Sequence, residues 1–151
     1  MMEIFVDASL DEKRGVAGVG LFVKRGASSR AISQWYKTKD VNEAELWGIY
    51  IASILGHGKD CTIYTDSKTA LAYVNQEVKD KPRDFEQHVR HKRMELLAYK
   101  VRRLKPKIEW IRGHCKYYQE LPIGNNVADM MAKNGRAKYY AQMSSKNNSR
   151  T

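Results

Sequence analysis

This sequence has little cysteine, no long apolar run and a shortage of acid. Cys61 and Cys115 are its two cysteines in 151 residues, and they form no CxxC pair. That excludes a disulfide scaffold and a cysteine-ligated zinc site. No apolar stretch approaches the roughly 20 residues that cross a bilayer, so no membrane segment is expected. Met1-Met2-Glu3-Ile4 lacks the basic and then apolar stretch of a secretory leader, and a cytoplasmic protein is expected. No internal repeat is visible. Asp and Glu number 17 against 27 Lys and Arg, a formal net charge of +10. Hydrophobic residues make up 42% and charged residues 29%, which describes a folded chain, not a disordered one. Its length suits one domain able to fold without disulfide or structural metal.

The excess charge is localised. Residues 1–78 carry 9 basic and 10 acidic side chains, residues 79–116 carry 13 and 5, and residues 117–151 carry 5 and 2. A basic run is often a solvated helix face. This density points instead to a polyanionic partner held by the middle and the end of the chain.

Met2–Val6 is short, apolar and β-branched, and ends at Asp7; it reads as a buried strand. Ala17–Lys24 reads as a second strand, with two glycines where another backbone can approach closely. Arg30–Tyr36 alternates apolar and polar, as a half-exposed third strand does. Short turns between the three favour an antiparallel meander. Asn42 then caps a helix with Glu43 and Glu45 in its first turn and apolar residues at Trp47, Ile51, Ile54 and Leu55. Cys61–Thr65 is a fourth strand ending at Asp66, and Ser67 caps the helix after it. Phe85–Leu104 reads as a long basic helix, with Phe85, Val89, Leu96, Leu97, Val101 and Leu104 facing a core. Ile108–Arg112 is the fifth strand and Gly113–Gly124 a loop. Asn125 caps a last helix ending near Tyr140. The expected fold is α/β: a five-stranded mixed sheet, three antiparallel strands and then parallel ones, flanked by helices. Residues 1–141 are the expected catalytic domain and 142–151 a flexible tail.

Asp7 and Asp66 both stand at strand ends, where ligands collect in open α/β sheets. Glu45 lies on the inward side of its helix beside Trp47 and Gly48. Asp129 sits among Val127, Ala128, Met130 and Met131. Singly, each reads as a cap or turn residue. Four carboxylates in apolar surroundings within one small basic domain point to bound cations, because a buried ionised carboxylate is costly unless paired or coordinated. Oxygen ligands without neighbouring cysteine or histidine favour Mg²⁺ or Mn²⁺ over Zn²⁺, and Mg²⁺ favours phosphate chemistry.

In order along the chain, IFVDAS at 4–9, NEAELWGI at 42–49, IYTDSKTAL at 63–71, WIRGH at 110–114 and GNNVADMMAK at 124–133 resemble the motifs of the ribonuclease H family, most closely its type 1 branch. The resemblance covers about residues 2–140. It implies a ribonuclease H-like fold and a metal-dependent endonuclease cutting the RNA strand of RNA–DNA hybrids, with 5′-phosphate and 3′-hydroxyl ends. Two Mg²⁺ ions, with Mn²⁺ possible, would sit about 3.5–4 Å apart. Asp7 would bridge both, Glu45 and Asp66 would complete one site, and Asp129 the other. His114 matches the histidine that assists proton movement or product release. Ser9, Asn42 and Ser67 match groove-facing positions that contact substrate. The 79–116 stretch corresponds to the family's substrate-binding helices. The connection from Asp66 to the fifth strand is too short for a separate basic protrusion, which leaves that work to Phe85–Leu104. His57, His88 and His91 match no motif and read as surface residues. The expected partner is an RNA–DNA hybrid, bound by a monomer away from any membrane. Two other classes remain open from the residues: a same-fold DNA nuclease of resolvase or transposase type, and a catalytically idle nucleic-acid-binding module.

Overall fold

The computed structural model describes residues 1–112 and 121–148. Three strands open the chain: β1 (Met2–Asp11), β2 (Val16–Arg25) and β3 (Ser28–Lys37). They are followed by α1 (Val41–Gly56), β4 (Cys61–Thr65), α2 (Lys68–Val74), α3 (Phe85–Leu104), β5 (Lys107–Trp110) and α4 (Leu121–Asn148). The sheet order is β3-β2-β1-β4-β5. β1 pairs antiparallel with β2, and β2 with β3, whereas β1–β4 and β4–β5 are parallel. This is the mixed five-stranded sheet expected. The first three strands are longer than expected, because the hairpin pairing continues past the apolar stretches into Asp11, Arg25 and Lys37.

Alternation along the strands assigns the two faces of the sheet. Ile4, Val6, Val19, Leu21 and Ile63 pack with Ala44 and Ala52 of α1. Phe5 and Tyr64 point the other way and pack with Ala128 of α4, their rings stacked 4.9 Å apart. The strand-2 glycines serve the close approach anticipated for them. A Cβ at Gly18 or Gly20 would run into the carbonyl oxygens of Ala132 or Ala128, so α4 lies almost backbone-to-backbone on β2. Gly20 is also the cross-strand partner of Asp7. Thus the residue that lets α4 approach lies beside the carboxylate that opens the site.

Several boundaries differ from expectation for identifiable reasons. α1 is capped by Asp40, whose side chain accepts from the Asn42 amide, so Asn42 is inside the helix. Moreover, α1 has two apolar faces, Ala44 and Ala52 towards the sheet and Leu46 and Ile49 towards α2 and α3. A single stripe through Trp47, Ile51, Ile54 and Leu55 misjudges it, and Ile54 is 48% exposed. On α3 the core seam is Met94, Leu97, Ala98 and Val101; Phe85 and Leu96 face solvent at 82% and 55% exposure. α4 begins at Leu121, so residues 121–124 are helical and Asn125 is a buried interior residue, not a cap. The same helix runs unbroken past Tyr140 to Asn148.

Candidate metal centre

Parallel pairing of β1 with β4 ends with Val6 beside Thr65, so the next residues are Asp7, still within β1, and Asp66, just past the end of β4. α1 crosses the sheet there and brings Glu45 in from its first turns. One carboxylate oxygen from each of Asp7, Glu45 and Asp66 lies within 4.8 Å of the others. Asp7 is 7% exposed and Glu45 4%.

Among the described residues little neutralises Asp7 and Glu45. The Ala8 amide donates to Glu45 Oε1 at 2.8 Å and to Asp7 Oδ1 at 2.9 Å. Glu45 Oε2 is buried with no hydrogen-bond partner among the described residues. No ion pair reaches Asp7 or Glu45 among the described residues. Burial pushes the Asp7 carboxyl up to about 7; the charges of Asp66 and Asp129 add to this, while the Glu45 contact and the Ala8 amide oppose it. Burial, and then the charge of Asp7, raises Glu45 well above the carboxylate range. An orphaned buried oxygen in a set of hard donors that repel one another fits a divalent cation such as Mg²⁺ or Mn²⁺.

Asp129 lies on α4, outside this three-carboxylate group. Its Oδ2 is 3.1 Å from Lys133 Nζ, one helical turn on. It is still near enough for its charge to act on Asp7. Ser9 is half-buried on β1, two residues beyond Asp7 and therefore on the same sheet face. Asn42 and Ser67 meet: Ser67 Oγ donates to Asn42 Oδ1 at 3.2 Å and accepts from the Ala70 amide at 3.0 Å. Ser67 is therefore the cap expected of it as well as Asn42's partner. His114 lies outside the described residues. His57 and His88 are exposed, but His91 is not a free surface residue; it meets the Tyr73 hydroxyl at 2.7 Å and Glu95 at 2.8 Å.

A second arrangement escaped sequence reasoning. Glu43, two residues before Glu45, is fully buried. It accepts from Tyr36 at 2.6 Å, from Thr38 at 2.9 Å, and from Arg93 at 3.2 and 2.9 Å. Arg90, one turn before Arg93, reaches the capping Asp40 at 3.4 Å. Two arginines of α3 thus latch the first turn of α1, which carries Asn42 and leads into Glu45. Counting charge treats every arginine in 79–116 as available to phosphate; these two are engaged inside the protein. The nearest legible signal is the matched spacing of Asp40 and Glu43 with Arg90 and Arg93. Beside the latch a cleft of about 570 Å³ is lined by Arg14, Lys37, Lys39, Phe85, Arg90 and Arg93.

A five-stranded mixed sheet with this strand order, and carboxylates gathered where the β1–β4 pairing ends, define a ribonuclease H-like α/β domain. The RNase H family model matches residues 1–137, and the chain belongs to the RNase H family. Among solved structures it is similar to RNase H1 from the halophilic archaeon Halobacterium salinarum NRC-1. The identity is 14%, the TM-score 0.67, and the match covers 91% of this chain and 98% of that one. It is also similar to the N-terminal RNase H domain of rv2228c from Mycobacterium tuberculosis, solved as a fusion with maltose-binding protein: 18% identity, TM-score 0.62, covering 88% and 96%. A third similar structure is the prototype foamy virus protease–reverse transcriptase, of which the match covers 20% against 89% of this chain, at 18% identity and TM-score 0.60. At these identities the likeness concerns the fold. No curated protein matches the sequence. Among the described residues no helix is long and apolar enough to cross a membrane.

Proposed function

We propose that the protein is a metal-dependent endoribonuclease that hydrolyses the RNA strand of RNA–DNA hybrids, leaving 5′-phosphate and 3′-hydroxyl ends. The observation that carries this is the Asp7–Glu45–Asp66 cluster, with its orphaned Glu45 oxygen, in a chain of the RNase H family. Asp7, Glu45, Asp66 and Asp129 would be the residues that hold two Mg²⁺ or Mn²⁺ ions. When bound, such ions supply an activated water and charge stabilisation for in-line attack at phosphorus. The chain's own contribution is geometric. Asp7 is held by strand pairing and Glu45 by the latched first turn of α1. Lys133 pairs with Asp129 one helical turn away.

Ser9, Asn42 and Ser67 would meet the substrate with hydroxyl and amide groups. These suit the 2′-hydroxyls by which RNA is told from DNA. The cleft beside α3 adds the cations of Arg14, Lys37 and Lys39, suited to phosphates of the second strand. His114 is assigned the proton movement or product release of the family. The catalytic unit spans residues 1–141 and acts as a cytoplasmic monomer.

The test is cleavage of an end-labelled RNA–DNA hybrid with Mg²⁺, beside single-stranded RNA and duplex and branched DNA. Metal-dependent cutting of the hybrid's RNA strand is expected. Folded protein that leaves the hybrid intact contradicts the proposal, and preferential cutting of branched or duplex DNA points to a same-fold DNA nuclease.

A further inference from the structure

The three clustered carboxylates are not equally well anchored. Asp7 is in the middle of β1, paired with β2 on one side. Glu45 is inside α1. Asp66 alone lies outside regular structure, in the two-residue junction between the end of β4 at Thr65 and the start of α2 at Lys68. A ligand on such a junction needs bracing if its carboxylate is to keep its place against the other two.

The brace comes from β5. The Ile111 amide donates to the Thr65 carbonyl at 2.9 Å, immediately before the junction. The Trp110 indole N–H then donates to the Asp66 carbonyl at 3.2 Å. The ring is held in turn by Lys68, whose ammonium lies 4.6 Å from its centroid. Trp110 is 42% exposed, so core packing does not explain a tryptophan on this edge strand. A donor that must reach sideways from β5 to the junction does explain it. Phenylalanine would cover the same surface without supplying the N–H.

We infer that Trp110 is a positioning residue for the metal centre: its indole N–H fixes the Asp66 backbone, and Lys68 holds the indole in place. Trp110 touches neither substrate nor cation; it acts through Asp66. This rests on the metal-centre reading above. Groups that orient ligands from behind typically change metal affinity by about tenfold or more when removed.

The test compares the wild type with Trp110→Phe and Lys68→Met. Mn²⁺ affinity is measured without substrate by calorimetry, and half-saturating Mg²⁺ is measured in hybrid cleavage. Trp110→Phe is expected to weaken Mn²⁺ binding and raise the half-saturating Mg²⁺ roughly tenfold. kcat at saturating metal should stay within about twofold and the melting temperature close to wild type. Lys68→Met should shift both metal readouts the same way by less. Wild-type Mn²⁺ affinity in Trp110→Phe overturns the positioning role while leaving the metal centre intact. A lower kcat at saturating metal with unchanged affinity also overturns it. Wild-type protein that takes up no Mn²⁺ removes the metal reading and this inference together. Metal uptake without hybrid cleavage removes only the proposed substrate, and the affinity comparison still decides the role of Trp110.

Discussion

Glu43 and Glu45 stand two residues apart on one helix, both almost wholly buried, and have opposite electrostatic fates. Burial pushes the Glu43 carboxyl up, but hydrogen bonds from Arg93, Tyr36 and Thr38 outweigh it and hold the group below the ordinary range. The same burial acts on Glu45 with only one amide bond against it and the charges of Asp7 and Asp66 added to it. Glu43 is satisfied from within and does structural work, latching α3 to the first turn of α1. Glu45 Oε2 has no hydrogen-bond partner among the described residues. A buried carboxylate alone therefore does not mark a site; what marks it is how the charge is answered.

The comparison can be broken most severely at the cluster. Asp7→Asn removes the carboxylate shared by the whole constellation, and hybrid cleavage is expected to fall below detection in a gel assay while hybrid binding persists. At the latch, Arg93→Ala leaves Glu43 buried without its cation. Losing one partner of a buried pair costs about 3–5 kcal/mol, and the half exposure of Arg93 puts the expected loss near 2–3 kcal/mol in urea denaturation. Adding Glu43→Gln to Arg93→Ala should recover part of that loss, since the two act as one unit.

Titration should separate the two niches next. In metal-free protein, folded Asp7 and Glu45 retain protons that the unfolded chain has released. Their contribution makes stability fall as pH climbs from about 4 through about 7. Glu43 has the opposite sign: its stabilisation is full above its unfolded value and is lost as pH falls through its lowered folded value. Melting temperatures measured against pH in EDTA, and again in Mg²⁺, check both. Mg²⁺ should restore stability most at the alkaline end, where the cluster is ionised. Glu45→Gln should flatten the alkaline decline and Glu43→Gln the acidic one.

The smallest expected effect concerns cations that neither niche consumes. Lys37→Ala and Lys39→Ala should each lower the slope of log binding constant against log salt by about 1, with little change in kcat.

Much of this was legible in the sequence where a local rule and the tertiary structure agree. The strand ending at Asp66, the strand-2 glycines, the Ser67 cap and both ends of α3 all follow from propensity and punctuation, whereas β1 runs on past Asp7 to Asp11 because its pairing with β2 continues. Legibility failed where one residue serves two neighbours. α1 is apolar on two sides because it lies between the sheet and two helices, which no single stripe describes. Asn125 has a capping side chain, yet α4 begins four residues earlier, and the residue is enclosed instead. Arg90 and Arg93 look like any other charges in a basic run; only the approach of α3 to α1 reveals that they are spent on Asp40 and Glu43. The three clustered carboxylates were recognisable by type and position. That Asp129 turns to Lys133 depends on side-chain geometry that spacing does not encode.

The most direct measurement is anomalous scattering from crystals of the protein soaked in Mn²⁺. A peak enclosed by Asp7, Glu45 and Asp66, with none at Glu43, is the predicted result. A cluster that stays empty under saturating Mn²⁺, or a peak at the Glu43–Arg93 latch instead, would contradict it.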